Sequence, residues 1–117
     1  MNGSQTLASR FFIYSKMDIK ELTDRMNTFV TSKSWYDETS QRPQTPRNLA
    51  ISLVLEATEI LEHFQWRETV KDKEELASEL ADVALYLFQL ASVSEIDLEK
   101  AILDKLEINK TREWDQK

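Results

Sequence analysis

Two pairs of acidic residues interrupt the two most apolar stretches of the chain. Residues 49–61 read L-A-I-S-L-V-L-E-A-T-E-I-L and residues 76–93 read L-A-S-E-L-A-D-V-A-L-Y-L-F-Q-L-A-S-V, with no lysine or arginine in either. Residues three apart lie on the same side of a helix, so each pair directs its two carboxylates the same way. If the two helices pack side by side, four carboxylates meet without a basic partner nearby. The acids concerned are Glu56, Glu59, Glu79 and Asp82.

A cluster of this kind is costly unless its members take up protons or bind cations. Hard divalent cations prefer oxygen ligands, and Mg²⁺ is the natural choice in a cytoplasm. The pattern therefore predicts a Mg²⁺ site, with Mn²⁺ as an alternative ion. Two other arrangements stay open at this point, because the carboxylates could lie along a solvated seam or pair with lysines of the last helix.

The composition narrows the chemistry open to this chain of 117 residues. It has no cysteine, which excludes disulfides, thiolate zinc sites and a cysteine nucleophile, and its single glycine, Gly3, leaves no glycine-rich loop to cradle phosphates. The formal net charge of −6 argues against a nucleic-acid groove. No uninterrupted apolar run approaches the roughly 18 residues of a membrane span. We therefore expect a cytoplasmic protein with no secretory leader, no membrane partner and no nucleic-acid partner.

Helix signals recur along the chain and indicate an all-α fold. An N-cap residue precedes each apolar-periodic segment, namely Asp18, Thr45, Asp72 and Asp97. Behind each cap, apolar residues recur at helical spacing. The sequence predicts helices over residues 18–33, 46–66 and 72–93 and a fourth helix from residue 97, with a loop over residues 34–45.

The arrangement of these helices predicts a four-helix-bundle-type subunit. We interpret residues 1–17 as an N-terminal arm and residues 18–117 as a single all-α domain. The second and third helices are apolar on nearly all sides, and one thin amphipathic helix and one charged helix cannot cover them. The subunit is therefore expected to be completed by oligomerisation, as a homodimer at least.

The order E-x-x-E and then E-x-x-D on consecutive helices resembles the MazG-like, all-α nucleoside triphosphate pyrophosphohydrolases. The resemblance covers roughly residues 18–112 and is strongest to the dCTP pyrophosphatase branch of that family. It departs from the branch at Met26, where the branch often has a histidine near the base. The resemblance to the dCTP pyrophosphatase branch rests on four motifs. They are Arg47-Asn48-Leu49, Phe64-Gln65-Trp66, Glu79-Leu80-Ala81-Asp82-Val83 with Tyr86, and Lys105-Leu106-Glu107-Ile108-Asn109-Lys110.

The resemblance implies a fold, a reaction and a set of site residues. The fold is the all-α NTP pyrophosphatase fold, assembled as a dimer of dimers. The reaction is Mg²⁺-dependent hydrolysis of nucleoside triphosphates to monophosphate and pyrophosphate, with dCTP favoured, in nucleotide-pool housekeeping. The residues implied to bind the metal and to carry catalysis are Glu56, Glu59, Glu79 and Asp82. Those implied to contact the substrate are Trp35 and Trp66 around the base, with Tyr86, Lys105, Asn109 and Lys110 at sugar and phosphates.

Other interpretations remain beside this one. The same fold could act on another phosphoanhydride, such as phosphoribosyl-ATP. The acidic seam could instead belong to a non-catalytic helical interaction module that binds a basic partner. Taken alone, Trp35, Trp66 and Tyr86 could be packing residues. His63, the single histidine, is interpreted as a structural residue or as part of the rim of the site.

Overall fold

The computed structural model describes residues 17–113, which form four helices and no strand. This confirms the predicted all-α fold. The division into an arm and a domain stays a prediction because the arm, except for Met17, lies outside the described residues. The helices are α1 (Ile19–Ser32), α2 (Pro46–Glu62), α3 (Lys73–Val93) and α4 (Leu98–Thr111).

Each helix begins after the N-cap residue that the sequence predicts. In every case the cap side chain accepts a hydrogen bond from a backbone N–H of the first turn, which has no partner within the helix. Local signals therefore define the four helix starts. The bonds are Glu21 N to Asp18 Oδ1, Asn48 N to Thr45 Oγ1, Glu75 N to Asp72 Oδ1 and Lys100 N to Asp97 Oδ1, at 2.8, 3.2, 3.1 and 3.0 Å.

The predicted end of α2 is wrong by about one turn. The sequence predicts a helix to Trp66, but α2 ends at Glu62. Beyond that point the backbone forms tighter bonds to the third preceding residue, from His63 N to Ile60 O at 3.2 Å and from Phe64 N to Leu61 O at 3.0 Å. Such bonds satisfy the last carbonyls of a helix while they turn the chain out of its axis.

α1 and α3 end in left-handed turns made without glycine. Ser34 and Glu95 have φ angles of 60° and 56°. In both turns the next N–H returns to a carbonyl of the last helical turn, which is the Schellman arrangement. The first of these turns opens the loop that carries Trp35. The closing bonds run from Trp35 N to Val30 O and from Ile96 N to Ala91 O, at 3.3 and 2.9 Å.

α3 is the central helix of the subunit, since it packs along α2 and also contacts α1, while α4 packs on α1. α2 and α3 run antiparallel. His63, just after α2, contacts Glu79 near the start of α3, whereas Ser52, near the start of α2, shares a cavity with Gln89 near the end of α3. The buried residues among those described are few: Met26, Val30, Leu49, Gln89 and Ala91.

α2 and α3 are only partly covered within the single chain, which agrees with the predicted shortage of covering surface. Leu49 is the one fully buried residue of α2, while Val54 and Leu55 are each 63% exposed. On α4, Leu103 and Leu106 are also more than half exposed. The physical reason is that α1 and α4 offer too little apolar surface to cover helices that are apolar on nearly all sides.

α3 is also long and apolar enough to cross a membrane by length and composition, with 21 residues and a mean hydropathy of 1.3 over an 18-residue window. Glu79 and Asp82 interrupt this stretch, so the helix contains no uninterrupted apolar run of that length. The same criterion is met by core helices of soluble proteins. Since α3 contains Glu79 and Asp82 and contacts two other helices, we interpret it as the central helix of the bundle.

Candidate functional site

The antiparallel packing of α2 and α3 brings the four predicted acids into one region. Burial raises the pKa of Glu56 above its usual value, and the negative charges of Glu59, Asp82 and Glu79 raise it further, in that order. A carboxylate can be affected in this way only by others that lie close to it. Two carboxylates of α2 and two of α3 therefore lie near enough to act on one another's charge.

The acids are close to one another but are not arranged as a finished ligand set. Among residues 17–113, no three acidic or histidine side chains converge closely enough to hold a metal ion. The donor chemistry nevertheless fits a hard divalent cation, since all four groups are carboxylates and none is sulfur. The raised pKa of Glu56 is the electrostatic cost that such a cation would relieve.

His63 is anchored at this cluster. Its Nε2 lies 2.5 Å from Glu79 Oε2, and the two side chains are only 10% and 17% exposed. The imidazole follows directly after α2, so the tight turn at the end of that helix directs it toward α3. His63 therefore lies at the rim of the site, where it restricts the rotamer of Glu79.

A cavity of about 430 Å³ opens between α1 and α3, beside Asp82. We call it the aromatic cavity. Trp35 forms one wall, and its ring meets Phe29 edge to face with 5.6 Å between centroids. The walls are mainly apolar and include Met26, Phe29, Trp35, Asp82, Tyr86 and Gln89.

A second cavity of about 340 Å³ lies between the loop over residues 33–45 and helices α2 and α3. We call it the loop cavity. Gln44 borders it from the loop and Ser52 from α2. Trp35, Tyr86 and Gln89 line both cavities, so these three side chains stand between them. Two of the three, Trp35 and Tyr86, belong to the predicted set of substrate contacts.

Trp66 lies apart from that pair within the single chain. It lines a shallow cavity of about 260 Å³ together with His63 and Glu79, and it is 87% exposed. Arg67 and Lys71 border the same cavity. The two tryptophans that were predicted to enclose one base thus reach the acidic cluster from different sides, Trp35 beside Asp82 and Trp66 beside Glu79.

The predicted phosphate contacts on α4 are also not at the acids in the single chain. Lys105 is exposed, and Lys110 Nζ forms an ion pair with Glu107 at 2.8 Å. Asn109 and Lys110 border a hollow on α4 itself. Over residues 17–113, none of the three cavities described above is lined by a residue of α4.

The structure adds three side chains that the sequence interpretation did not select. Arg67 and Lys71 lie in the connection between α2 and α3, and nothing in their spacing marks them as site residues. Gln89 interrupts an apolar run seven residues after Asp82, which was a visible signal, but a lone glutamine in a helix has no specific meaning without its neighbours. All three line cavities at the acidic cluster or beside Asp82.

Comparisons with known proteins agree with this geometry. Residues 51–117 match the MazG-like family. The chain is 32% identical over 120 residues to dCTP pyrophosphatase 1 of Homo sapiens, with 94% of this chain and 68% of that protein covered, and 31% identical to the Rattus norvegicus protein of the same name, with 95% and 69% covered. A solved pyrophosphatase from Archaeoglobus fulgidus superposes with a TM-score of 0.67 at 35% identity, over 79% of this chain and 88% of the other.

Proposed function

This chain belongs to the MazG-like family and is a nucleoside triphosphate pyrophosphohydrolase, and we propose that it acts on deoxynucleotides, with dCTP favoured, in a reaction that depends on Mg²⁺. The names of its relatives support dCTP as the preferred substrate. The observation that carries the proposal is the cluster of carboxylates on α2 and α3, in which three neighbours raise the pKa of the fourth.

Glu56, Glu59, Glu79 and Asp82 would hold the ion, with Mn²⁺ as an alternative to Mg²⁺. When bound, Mg²⁺ supplies neutralisation of phosphate charge and lowers the pKa of water. A chain without a glycine-rich phosphate loop needs such a bridge between its acids and a triphosphate. Restraint of Glu79 by His63 keeps one of these carboxylates in a single orientation before substrate arrives.

The proposed reaction is an attack by water at the α-phosphorus. The bond from that phosphorus to the bridging oxygen of the β-phosphate breaks, pyrophosphate leaves with the bridging oxygen, and the monophosphate keeps the oxygen of the water. A carboxylate of the cluster orients the water and accepts its proton.

Trp35 and Tyr86 would bind the nucleoside. Both line the aromatic cavity, whose neighbour Asp82 would lie at the metal, so a nucleotide can extend from the ion along α3 toward the rings. Flat rings in an apolar cavity suit a nucleobase, which stacks on its faces. Trp66 would close the site from the side of Glu79.

The phosphate contacts of α4 would act across a subunit interface. Lys105, Asn109 and Lys110 border none of the cavities at the acids in their own chain, while apolar residues of the same helix are exposed. A second copy that covers those apolar residues could place its α4 at the acids. We therefore propose a homodimer at least, and a dimer of dimers by resemblance to the family.

The proposal is tested by measuring pyrophosphate and inorganic phosphate released from the eight common ribo- and deoxynucleoside triphosphates and from phosphoribosyl-ATP. Each substrate is assayed with Mg²⁺, with Mn²⁺ and with a chelator. Pyrophosphate and monophosphate in equal amounts, highest with dCTP and absent with the chelator, are expected. Inorganic phosphate as the product would contradict α-phosphorus cleavage. Turnover of phosphoribosyl-ATP alone would favour another phosphoanhydride, and no turnover at all would favour an interaction module. We propose that this activity serves nucleotide-pool housekeeping in the cytoplasm.

A further inference from the structure

Gln89 is a polar side chain in the interior of the subunit. It is 4% exposed and lines both the aromatic cavity and the loop cavity. It shares one face of α3 with Asp82 and Tyr86, at positions i, i+4 and i+7. At 1.5 Å of rise per residue, Gln89 lies about 10 Å along the helix from Asp82. That is the scale of the separation between the phosphates of a nucleotide and the far edge of its base.

The main chain determines which way the Gln89 amide faces. Gln44 Nε2 donates to the carbonyl oxygen of Arg42 at 2.7 Å, and Gln89 Nε2 donates to Gln44 Oε1 at 2.7 Å. A backbone carbonyl can only accept, so Gln44 must present its nitrogen to Arg42 and its oxygen to Gln89. Gln89 must in turn present its nitrogen to Gln44. The polarity of both amides thus follows from one backbone group.

Tyr36 lies near the same amide and is oriented by a different partner. The Tyr36 hydroxyl donates its only proton to Asn27 Oδ1 at 2.5 Å, so its oxygen is left to accept. Burial raises the pKa of Tyr36, and the hydrogen bond from Gln89 lowers it, as a donor to the phenolic oxygen does. Because Nε2 donates to Gln44, the group that Gln89 can offer a ligand is its carbonyl oxygen.

We propose that Gln89, held in one orientation by Gln44, selects pyrimidines that carry an amino group at position 4. Its Oε1 accepts a hydrogen bond from the 4-amino group of cytosine. Uracil and thymine present a carbonyl oxygen at that position. This oxygen and Gln89 Oε1 are both acceptors, so no hydrogen bond can form between them and they repel each other. This inference rests on the proposed function and assigns its preference for dCTP to a pair of glutamines.

A site built around a fixed hydrogen bond discriminates strongly because the wrong ligand leaves a buried polar group unpaired. dCTP and dUTP are the matched probes, since they differ only in the base edge at positions 3 and 4. For the wild-type protein we expect kcat/KM to be at least about tenfold higher for dCTP than for dUTP.

Two substitutions separate selection from a merely structural role. Gln89→Met keeps the length of the side chain and removes its polarity, so kcat/KM for dCTP is expected to fall about ten- to a hundredfold while that for dUTP stays within about threefold. Gln44→Met leaves Gln89 in place and removes the 2.7 Å hydrogen bond that fixes its amide, so that the amide can rotate. The Gln89 nitrogen can then donate to the 4-oxo group of uracil. The ratio of kcat/KM for dCTP to that for dUTP is therefore expected to fall, mainly because kcat/KM for dUTP rises.

Gln65→Met is the control, because Gln65 is exposed and lines none of the three cavities at the site, and both substrates should keep their wild-type values. Equal losses for dCTP and dUTP in Gln89→Met, or an unchanged ratio in Gln44→Met, would overturn the inference. If Gln89→Met does not fold, Gln44→Met alone decides. A wild-type enzyme that releases pyrophosphate from both substrates equally well overturns the role of Gln89 and leaves the proposed function intact. Absence of pyrophosphate from every triphosphate would overturn the function itself.

Discussion

Glu56 keeps a carboxylate in a half-buried position that three other carboxylates surround. Its raised pKa means that the folded protein binds this proton more tightly than the unfolded chain does. The stabilising effect of that tighter proton binding is fully present below the ordinary pKa of a glutamate and is lost as the pH rises through the raised value. At neutral pH and without metal, the charged group therefore opposes folding.

Glu56→Gln should separate stability from activity. The metal-free variant is expected to melt a few degrees above the wild type at neutral pH, because the amide keeps the shape and removes the repulsion. The difference in melting temperature between the variant and the wild type should disappear as the pH falls through the raised pKa of Glu56. Turnover should drop by at least about a hundredfold, since a metal ligand is lost. Calorimetry and pyrophosphate release are the two measurements.

Glu68→Gln is the matched control, since Glu68 is exposed and lines none of the three cavities at the site. It should change neither melting nor turnover. The variants Glu59→Gln, Glu79→Gln and Asp82→Asn should lose activity as Glu56→Gln does. If they melt earlier without metal and turn over normally once folded, the acids are structural and the assigned site is wrong.

Trp35→Ala tests the aromatic cavity at the same scale. Stacking of a base on an aromatic ring contributes on the order of 1–3 kcal/mol, as measured for single-stranded nucleic acids, so KM should rise about ten- to a hundredfold. Affinity for Mg²⁺ should not change, because the ion contacts carboxylates and phosphates. Nucleotide binding should quench tryptophan fluorescence, and Trp35→Ala should remove most of the quench. A quench that survives Trp35→Ala and Trp66→Ala together would mean that the base binds elsewhere.

At the scale of the helices, the sequence predicts what local chemistry controls. The N-caps depend on residues within one turn of each other, and the four predicted starts are confirmed. The end of α2 could not be predicted in this way, because His63 and Trp66 continue the helical pattern while the backbone already turns at Glu62. The role of Gln89 was likewise out of reach, because its orientation depends on Gln44 and a carbonyl from a distant loop.

The left-handed turn after α3 makes a prediction about stability alone. Glu95 holds a φ of 56°, a conformation that costs a residue with a Cβ roughly 1–2 kcal/mol. Glycine avoids that cost but loses more entropy on folding. Glu95→Gly should therefore raise the free energy of unfolding by about 0.5–1 kcal/mol in urea titrations.

Glu95→Ala controls for removal of the charge, since alanine keeps the Cβ and should give no such gain. Activity should stay at the wild-type value in both variants. Equal stabilisation by glycine and alanine would show that the charge of Glu95, and not its backbone conformation, limits stability at this turn.

At the scale of the whole molecule, the exposed apolar residues of α2 and α4 are the dominant feature. The sequence indicated that one chain cannot cover these helices, and the exposed Val54, Leu55, Leu103 and Leu106 agree with that argument. Which surfaces meet could not be predicted, because helical periodicity gives the direction of a side chain and not the partner that covers it. The positions of Trp66 and of the α4 lysines relative to the acids depend on that partner.

Leu103→Glu should test the proposed assembly. The side chain is 58% exposed in the single chain, so a charge there is tolerated by an isolated subunit but not within an apolar interface. The variant is expected to lower the mass measured by light scattering and to lose turnover. Thr28→Glu places a charge at an exposed polar position of α1 and is the control. This variant should keep the wild-type mass and the wild-type turnover. A wild-type protein that is a folded, active monomer at micromolar concentration would contradict the assembly.

The central claim is that the acids on α2 and α3 direct water to the α-phosphorus of a nucleoside triphosphate with the help of Mg²⁺. The most direct measurement is a single incubation of the protein with dCTP and Mg²⁺ in water labelled with heavy oxygen, followed by mass spectrometry of both products. We expect one labelled oxygen in the phosphate of dCMP and none in the pyrophosphate. Label in pyrophosphate or in inorganic phosphate would place the attack at another phosphorus and would contradict the account.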